Sequence, residues 1–242
     1  GVPRPMKGPR GNTVIVTGAS RGIGAAIARA LAEAGYGVVG LSRSGASAAG
    51  RGIACDVTNE AALVAAIADS ARDGLVGLVN NAGAHRASPT ATLATAEYEA
   101  VMRLDATATM IACREAHPHL KASGGGVIVN IGSFFEKLGV PGNLAYCAAK
   151  AAVGAMTRVL ASEWAADGIR VLNVAPGYIE TDLNRDFLAD PKVRAWIAKR
   201  VPVGRPGTPE EVARLVVTLL DPGLGFLTGE TITMDGGQGM NH

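Results

Sequence analysis

A chain of 242 residues, 48% hydrophobic, with a net charge of +2 is long enough for one α/β domain with a sizeable core. With charges nearly balanced and no Lys/Arg cluster, it offers no field for nucleic acid. No run reaches the roughly 18 uncharged apolar residues of a membrane-spanning helix. Three cysteines (Cys55, Cys113 and Cys147) without metal-ligand spacing predict buried reduced thiols, no metal site and a cytoplasmic location.

Residues 1–10 are proline-rich and basic with no apolar run. They read as a flexible tail rather than a signal peptide, and residues 11–242 read as a single domain. The first strand is predicted at 12–17. It leads straight into Gly18-Ala19-Ser20-Arg21-Gly22-Ile23-Gly24 and an alanine-rich helix over 22–34. A glycine turn between strand and helix is the context in which a dinucleotide's pyrophosphate is held. Gly18 permits the sharp turn, Gly22 lets backbone amides approach, and Gly24 lets the helix pack on the strand. The helix N-terminus, with Ser20, Arg21 and Ile23 around it, then faces the anion.

The next strand, 37–42, ends in Ser42-Arg43-Ser44. NAD-binding sheets place an acidic residue near this point to bond the ribose 2′-hydroxyl. Here Ser42 takes that place, and the Arg43 guanidinium suits a 2′-phosphate, with Arg21 able to approach from the turn. This predicts NADP(H) over NAD(H). Further strands follow at 52–55, 75–80, 126–132, 169–174 and 231–234, and helices near 59–73, 95–121, 145–166 and 209–220. Alternating β and α elements predict a Rossmann fold, a doubly wound parallel sheet with helices on both faces. Ligands in such sheets bind at the carboxyl ends of the strands.

Ser133 follows the strand 126–132, and Tyr146 and Lys150 lie at i and i+4 on the next helix, sharing a face. A free phenol titrates near pH 10. A fixed ammonium beside it favours phenolate, and a serine hydroxyl can hold the oxygen that exchanges the proton.

Taken in order, Thr17 to Gly24, Asn80-Asn81-Ala82-Gly83, Ser133 with Tyr146 and Lys150, and Pro176 to Thr181 resemble the classical subgroup of the short-chain dehydrogenase/reductase family. The likeness runs over residues 11 to 239. It implies an NAD(P)-dependent oxidoreductase of carbonyl and secondary alcohol groups, with Ser133, Tyr146 and Lys150 catalytic. It further implies that Asp56 and Val57 hold adenine, that Asn81, Ala82 and Gly83 lie under the adenosine ribose, and that Tyr146 and Lys150 also meet the cofactor. Pro176, Gly177, Ile179 and Thr181 would face the nicotinamide, although Thr181 equally suits a helix N-cap. Asp105 stands where the family usually has Asn, whose main-chain carbonyl helps hold a water leading to the catalytic Lys. A carboxylate there would keep Lys150 charged and weaken its pull on the Tyr146 proton.

Much of the chain also resembles 3-oxoacyl-carrier-protein reductases, which dock an acidic carrier through basic residues before the fifth and sixth strands. Gly124 and Asp167 occupy those places, with Lys121 and Arg170 nearby, and Asp167 would repel such a partner. A small carbonyl or alcohol is therefore the expected substrate, with the carrier-linked reaction as the alternative and a non-catalytic nucleotide-binding protein further behind. The lid is expected near 180–207, where Phe187, Leu188, Trp196 and Ile197 mix with Lys192, Arg194, Lys199 and Arg200. Neither nucleic acid nor membrane is an expected partner. Apolar residues on more than one face of the helices 95–121 and 145–166, and an edge strand at 231–234, predict a homotetramer.

Overall fold

Strand composition decides the architecture. In β1 (Thr13–Thr17) every residue is buried, with Val14 and Val16 in one apolar cluster and Ile15 in another. Successive strand side chains point to opposite faces, so a strand apolar throughout needs cover on both sides. The same is true of β4 (Leu75–Asn80), β5 (Gly126–Ile131) and β6 (Ile169–Pro176). The structure, a computed structural model that describes residues 11–182 and 184–240, joins them with β2 (Gly37–Ser42), β3 (Arg51–Ala54) and β7 (Thr231–Met234). Together they form a seven-stranded parallel sheet of order β3-β2-β1-β4-β5-β6-β7. The tail expected at 1–10 lies outside the described residues.

One face is covered by α1 (Gly22–Glu33) and α8 (Pro209–Leu219), through Ile27, Leu31, Val212 and Val216. The other carries α2 (Glu60–Ser70), α4 (Ala108–Ala122) and α5 (Leu144–Trp164), with Leu63, Ile67, Ile111, Leu120 and Ala161 in its core. Each large aliphatic side chain removed from water here contributes about 1.5–3 kcal/mol. Local signals set the helix ends. After α1, Gly35 at φ +90° allows Tyr36 N–H to reach Leu31 O and Gly35 N–H to reach Ala32 O (each 3.0 Å), the left-handed stop that favours glycine. Asn59 caps α2, and Thr208 with Glu211 forms a reciprocal cap on α8.

Strand order reverses between β1 and β4, so their carboxyl ends diverge into a crevice. Three local features depart from expectation. The helix expected without interruption over 95–121 is α3 (Thr95–Met102) and α4 joined by a π-helical turn, Arg103–Thr107, which holds Asp105. The lid contains two helices, α6 (Arg185–Ala189) and α7 (Pro191–Arg200), with a small core of their own in Leu188, Ile197 and Val201. Cys55 and Cys113 are buried as expected, whereas Cys147 is only half-buried, because the position next to Tyr146 turns part of the way out of the core. By length and hydropathy α5 would suit a membrane span. Its Ala149, Val153 and Ala161 are buried, and helices in the cores of globular domains have the same composition.

Candidate active site

The loops after β1 and β4 brace each other. Thr17 Oγ1 accepts from the backbone amides of Asn81 and Ala82 (each 3.0 Å), and Asn81 Nδ2 donates to the carbonyls of Thr17 (3.0 Å) and Gly18 (3.3 Å). A Cβ on Gly24 would stand 2.2 Å from the Gly18 carbonyl oxygen, so only glycine lets α1 come this close to the turn. Asn81 thus supports the cradle from beneath. Above it, no side chain caps α1 at Arg21, and its first turn holds no acidic residue. The amides of Gly22, Ile23 and Gly24 have no intrahelical partner by geometry and form an anion site. Ser20 and Arg21 are exposed at its rim. A Cβ on Gly22 would meet only Thr181, at 3.6 Å. These features fit a dinucleotide pyrophosphate.

Several residues expected to meet the cofactor are already engaged within the protein. Ser42 is buried and its hydroxyl donates to Ala46 O (2.7 Å), so it closes its own loop instead of facing the ribose. Arg43 is exposed. Asp56 Oδ1 takes both the amide (2.9 Å) and hydroxyl (2.7 Å) of Thr58, bonds that with Arg43 nearby hold the carboxyl below its ordinary range. Val57 and Ile179 send their side chains into the two cores, because their neighbours alternate outward. Only their backbone is available to a ligand, and the Ile179 carbonyl already accepts from Asn184 Nδ2 (2.9 Å). Pro176 ends β6, and Gly177 packs so close that a Cβ would come 2.7 Å from Asp235 Cα. Thr181 donates its amide (2.7 Å) and hydroxyl (3.2 Å) to Asn184 Oδ1, and Asn184 is the residue at the N-cap of α6.

Ser133, Tyr146 and Lys150 converge through β5 and α5. Ser133 is buried at the end of β5, where its Oγ accepts from Phe135 N–H (3.2 Å). Tyr146 lies in the first turn of α5 with its ring edge-on to His85 (5.1 Å) and Phe135 (6.0 Å). One turn on, the Lys150 ammonium donates to Ile131 O (3.0 Å) and lies 5.5 Å from the centre of the Tyr146 ring. Backbone β5 therefore fixes both the serine and the cation. The Lys150 charge is thus buried beside the Tyr146 ring, and the Ser133 hydroxyl follows just past the strand that holds the lysine.

The buried Lys150 has a buried counter-ion. Asp105 Oδ1 lies 3.3 Å from Lys150 Nζ, and its two oxygens accept from the Ala84 amide at 3.3 and 3.4 Å. Burial raises the Asp105 carboxyl above its ordinary range, and the Lys150 charge pulls in the opposite direction. Gly83 covers the pair: a Cβ there would reach Asp105 Oδ1 at 2.4 Å and Lys150 Nζ at 3.5 Å. Only glycine at position 83 leaves room for this pair.

A line of aromatic side chains was missed at the sequence level. Phe135 meets Phe134 (4.7 Å), Phe134 meets Tyr178 (5.3 Å), and Tyr178 meets Trp196 of the lid (5.5 Å). Its one visible signal was the Phe134-Phe135 pair directly after Ser133. His85 was also missed. Asn143 donates Nδ2 to Pro141 O (3.0 Å) and presents Oδ1 to His85 Nε2 (2.5 Å), which seats the imidazole against Tyr146.

The surface before β5 and β6 changes the argument about an acidic partner. Asp167 is paired with Lys121 and His117 (each 2.8 Å), which hold its carboxyl low. Its charge is neutralised locally, so it does not present the repulsion expected of it. Arg170 is buried and donates to Asp221 O (3.0 Å).

Residues 18–239 match a family model described as enoyl-(acyl carrier protein) reductase. The chain is 39% identical to the 3-oxoacyl-[acyl-carrier-protein] reductase FabG of Vibrio cholerae, over 95% of this chain and 98% of that one. It is also 39% identical to the cis-4-hydroxycyclohexanecarboxylate dehydrogenase of Sinomonas cyclohexanicum, over 92% and 94%. A solved candidate NAD(P)-dependent gluconate 5-dehydrogenase from Beutenbergia cavernae, with NADP bound at low occupancy, superposes with a TM-score of 0.86 at 32% identity, covering 93% of this chain and 96% of the other. With a glycine cradle at the sheet's switch point, a Ser133–Tyr146–Lys150 site beside it and matches over nearly the whole length, the chain belongs to the short-chain dehydrogenase/reductase family, oxidoreductases that act on alcohol and carbonyl groups.

Proposed function

We propose that the chain is an NADP(H)-dependent reductase and dehydrogenase of small carbonyl compounds and secondary alcohols, acting through Ser133, Tyr146 and Lys150. The observation that carries this reading is the Lys150 ammonium, tied to the last residue of β5, two residues before Ser133, and held beside the Tyr146 ring. The nicotinamide cofactor, when bound, supplies or accepts the hydride. The α1 amides hold its pyrophosphate. Ser133 and Tyr146 hydrogen-bond the substrate oxygen, and Tyr146 gives its proton to the forming alkoxide or takes one from an alcohol. Lys150 offsets the charge that forms on the Tyr146 oxygen, and the buried Asp105 is its counter-ion. Exposed Arg21 and Arg43, with no carboxylate at the end of β2, favour a 2′-phosphate. A cytoplasmic homotetramer is the assembly that suits the exposed apolar residues Met110 on α4, Leu144 and Val159 on α5, and the edge strand β7.

The carrier-linked reading keeps support from the family model's description and the Vibrio relative. Against it stand the positions before β5 and β6, where Lys121 is paired with Asp167 and Arg170 is turned inward. Single-turnover NADPH consumption by Tyr146→Phe tests the main reading. A loss of 10²–10⁴-fold is expected of a positioned general acid, and a loss below about tenfold refutes it. A strong preference for a carrier-linked thioester over its short thioester mimic would favour the alternative.

A further inference from the structure

Beyond Ser133, the line Phe135–Phe134–Tyr178–Trp196 leads from the Tyr146 ring to a cavity of about 280 Å³ under the lid, lined by Tyr178, Phe187, Lys192, Val193, Trp196 and Ile197. Its walls are almost wholly apolar. An apolar cavity of about 150 Å³ accommodates benzene, so this one has room for one or two fused rings, and edge-to-face walls suit a flat or chair-shaped body. An open-chain polyol would leave its hydroxyls against these walls without partners.

Charge along the lid's second helix is basic, with the Asp190 carboxylate at its N-cap accepting from the Lys192 backbone amide (2.7 Å). Helix α7 carries Lys192, Arg194, Lys199 and Arg200 and no acidic residue. Arg200 lies over the Trp196 ring (5.1 Å). Lys192 borders the cavity, and among the described residues no carboxylate pairs with it. An apolar hollow with a cation at its edge is complementary to an amphiphilic anion.

We propose that this cavity takes the carbocyclic body of a cyclic oxo- or hydroxy-carboxylate and that Lys192 meets its carboxylate, making Lys192 and Trp196 the specificity-determining residues. The inference rests on the reading of Tyr146 given above. In the reductive direction the ring carbonyl gains a hydride from NADPH and a proton from the Tyr146 hydroxyl, and it becomes a secondary alcohol as NADPH becomes NADP⁺.

The test measures NADPH-linked reduction of 4-oxocyclohexanecarboxylate, its methyl ester, an open-chain keto sugar acid, a short 3-oxoacyl thioester and 2-butanone by the full chain. The cyclic acid is expected to have the highest kcat/KM. Lys192→Met should raise KM for the cyclic acid by about three- to tenfold, the range of a partly exposed ion pair, with kcat unchanged and the ester's KM within twofold. Trp196→Ala should raise KM for acid and ester alike. Equal turnover of acid and ester, equal effects of Lys192→Met on both, or preference for the open-chain acid or the thioester would overturn the inference. If those substrates or 2-butanone are reduced in a Tyr146-dependent way, the function reading survives that failure. If no member of the panel is reduced with either cofactor, both fall.

Discussion

The cofactor cradle and the substrate lid are held in different ways. The cradle is backbone locked to backbone, with a glycine where any side chain would collide and an asparagine tying two strand ends together. The lid rests on a small core of its own, Leu188, Ile197 and Val201 with Val193, and leaves Phe187 63% exposed. A surface that recognises one invariant ligand tolerates no slack. A surface that must open and suit a particular substrate is built from few contacts, at the low-stability end of the fold.

Substitutions on the two sides should therefore differ in kind. Gly24→Ala puts a Cβ 2.2 Å from the Gly18 carbonyl oxygen. The expected cost is roughly 2–3 kcal/mol, or about 5–10 °C in Tm for a chain this size, with weaker cofactor binding. A thermal melt within 2 °C of the parent would show that the turn yields easily. Ile197→Ala deletes three carbons from the lid, a larger change than the one methyl that Gly24→Ala adds, yet global Tm should fall by no more than about 2 °C. Faster amide exchange over 185–201 and a higher substrate KM would carry the effect. A cooperative loss as large as the 2–5 kcal/mol of ordinary core truncations would make lid and body one unit.

Asp105→Asn probes the seam between the regions. It removes a negative charge beside Lys150, so the ammonium's field at the phenol is no longer offset. The pH at half-maximal alcohol oxidation should drop. Burial raises the Asp105 carboxyl, so its charge is present only above that raised value and the two profiles should converge in acid. Superimposable profiles at all pH values would remove Asp105 from the proton chemistry. The smallest effect is expected at Glu211, pushed down to about 2 by Arg205 and the Thr208 amide. A depressed carboxylate stabilises the fold above its ordinary range and loses that contribution as pH falls toward 2. Glu211→Gln should flatten the acid limb of a stability-pH curve while lowering the neutral Tm by about 1–2 °C, and an unchanged acid limb would show that the Arg205 pair carries no stability.

The parts of this molecule set by local chemistry were legible in its sequence. Apolar strands, the Gly18–Gly22–Gly24 spacing and the Tyr146–Lys150 repeat are determined by neighbours along the chain, and the sheet, both helical layers and the position of the cradle follow from them. What escaped depends on contacts between distant segments. Nothing near Asp105 announces a π turn, because an extra residue in a helix is accommodated by what packs against it. Ser42 looks like a ribose contact until its hydroxyl finds Ala46, and Asp167 looks like a free charge until His117 and Lys121 arrive from another helix. The aromatic path to the lid joins the turn after β5, the loop after β6 and helix α7.

The cysteines have a practical side. Burial pushes Cys113 up to about 12 and raises Cys55, leaving both as unreactive thiols. Cys147 alone is partly open to solvent, on the helix turn that carries Tyr146. A fluorescent maleimide would therefore mark one address in this protein, adjoining the proposed proton donor, and would place an optical reporter there without engineering a residue.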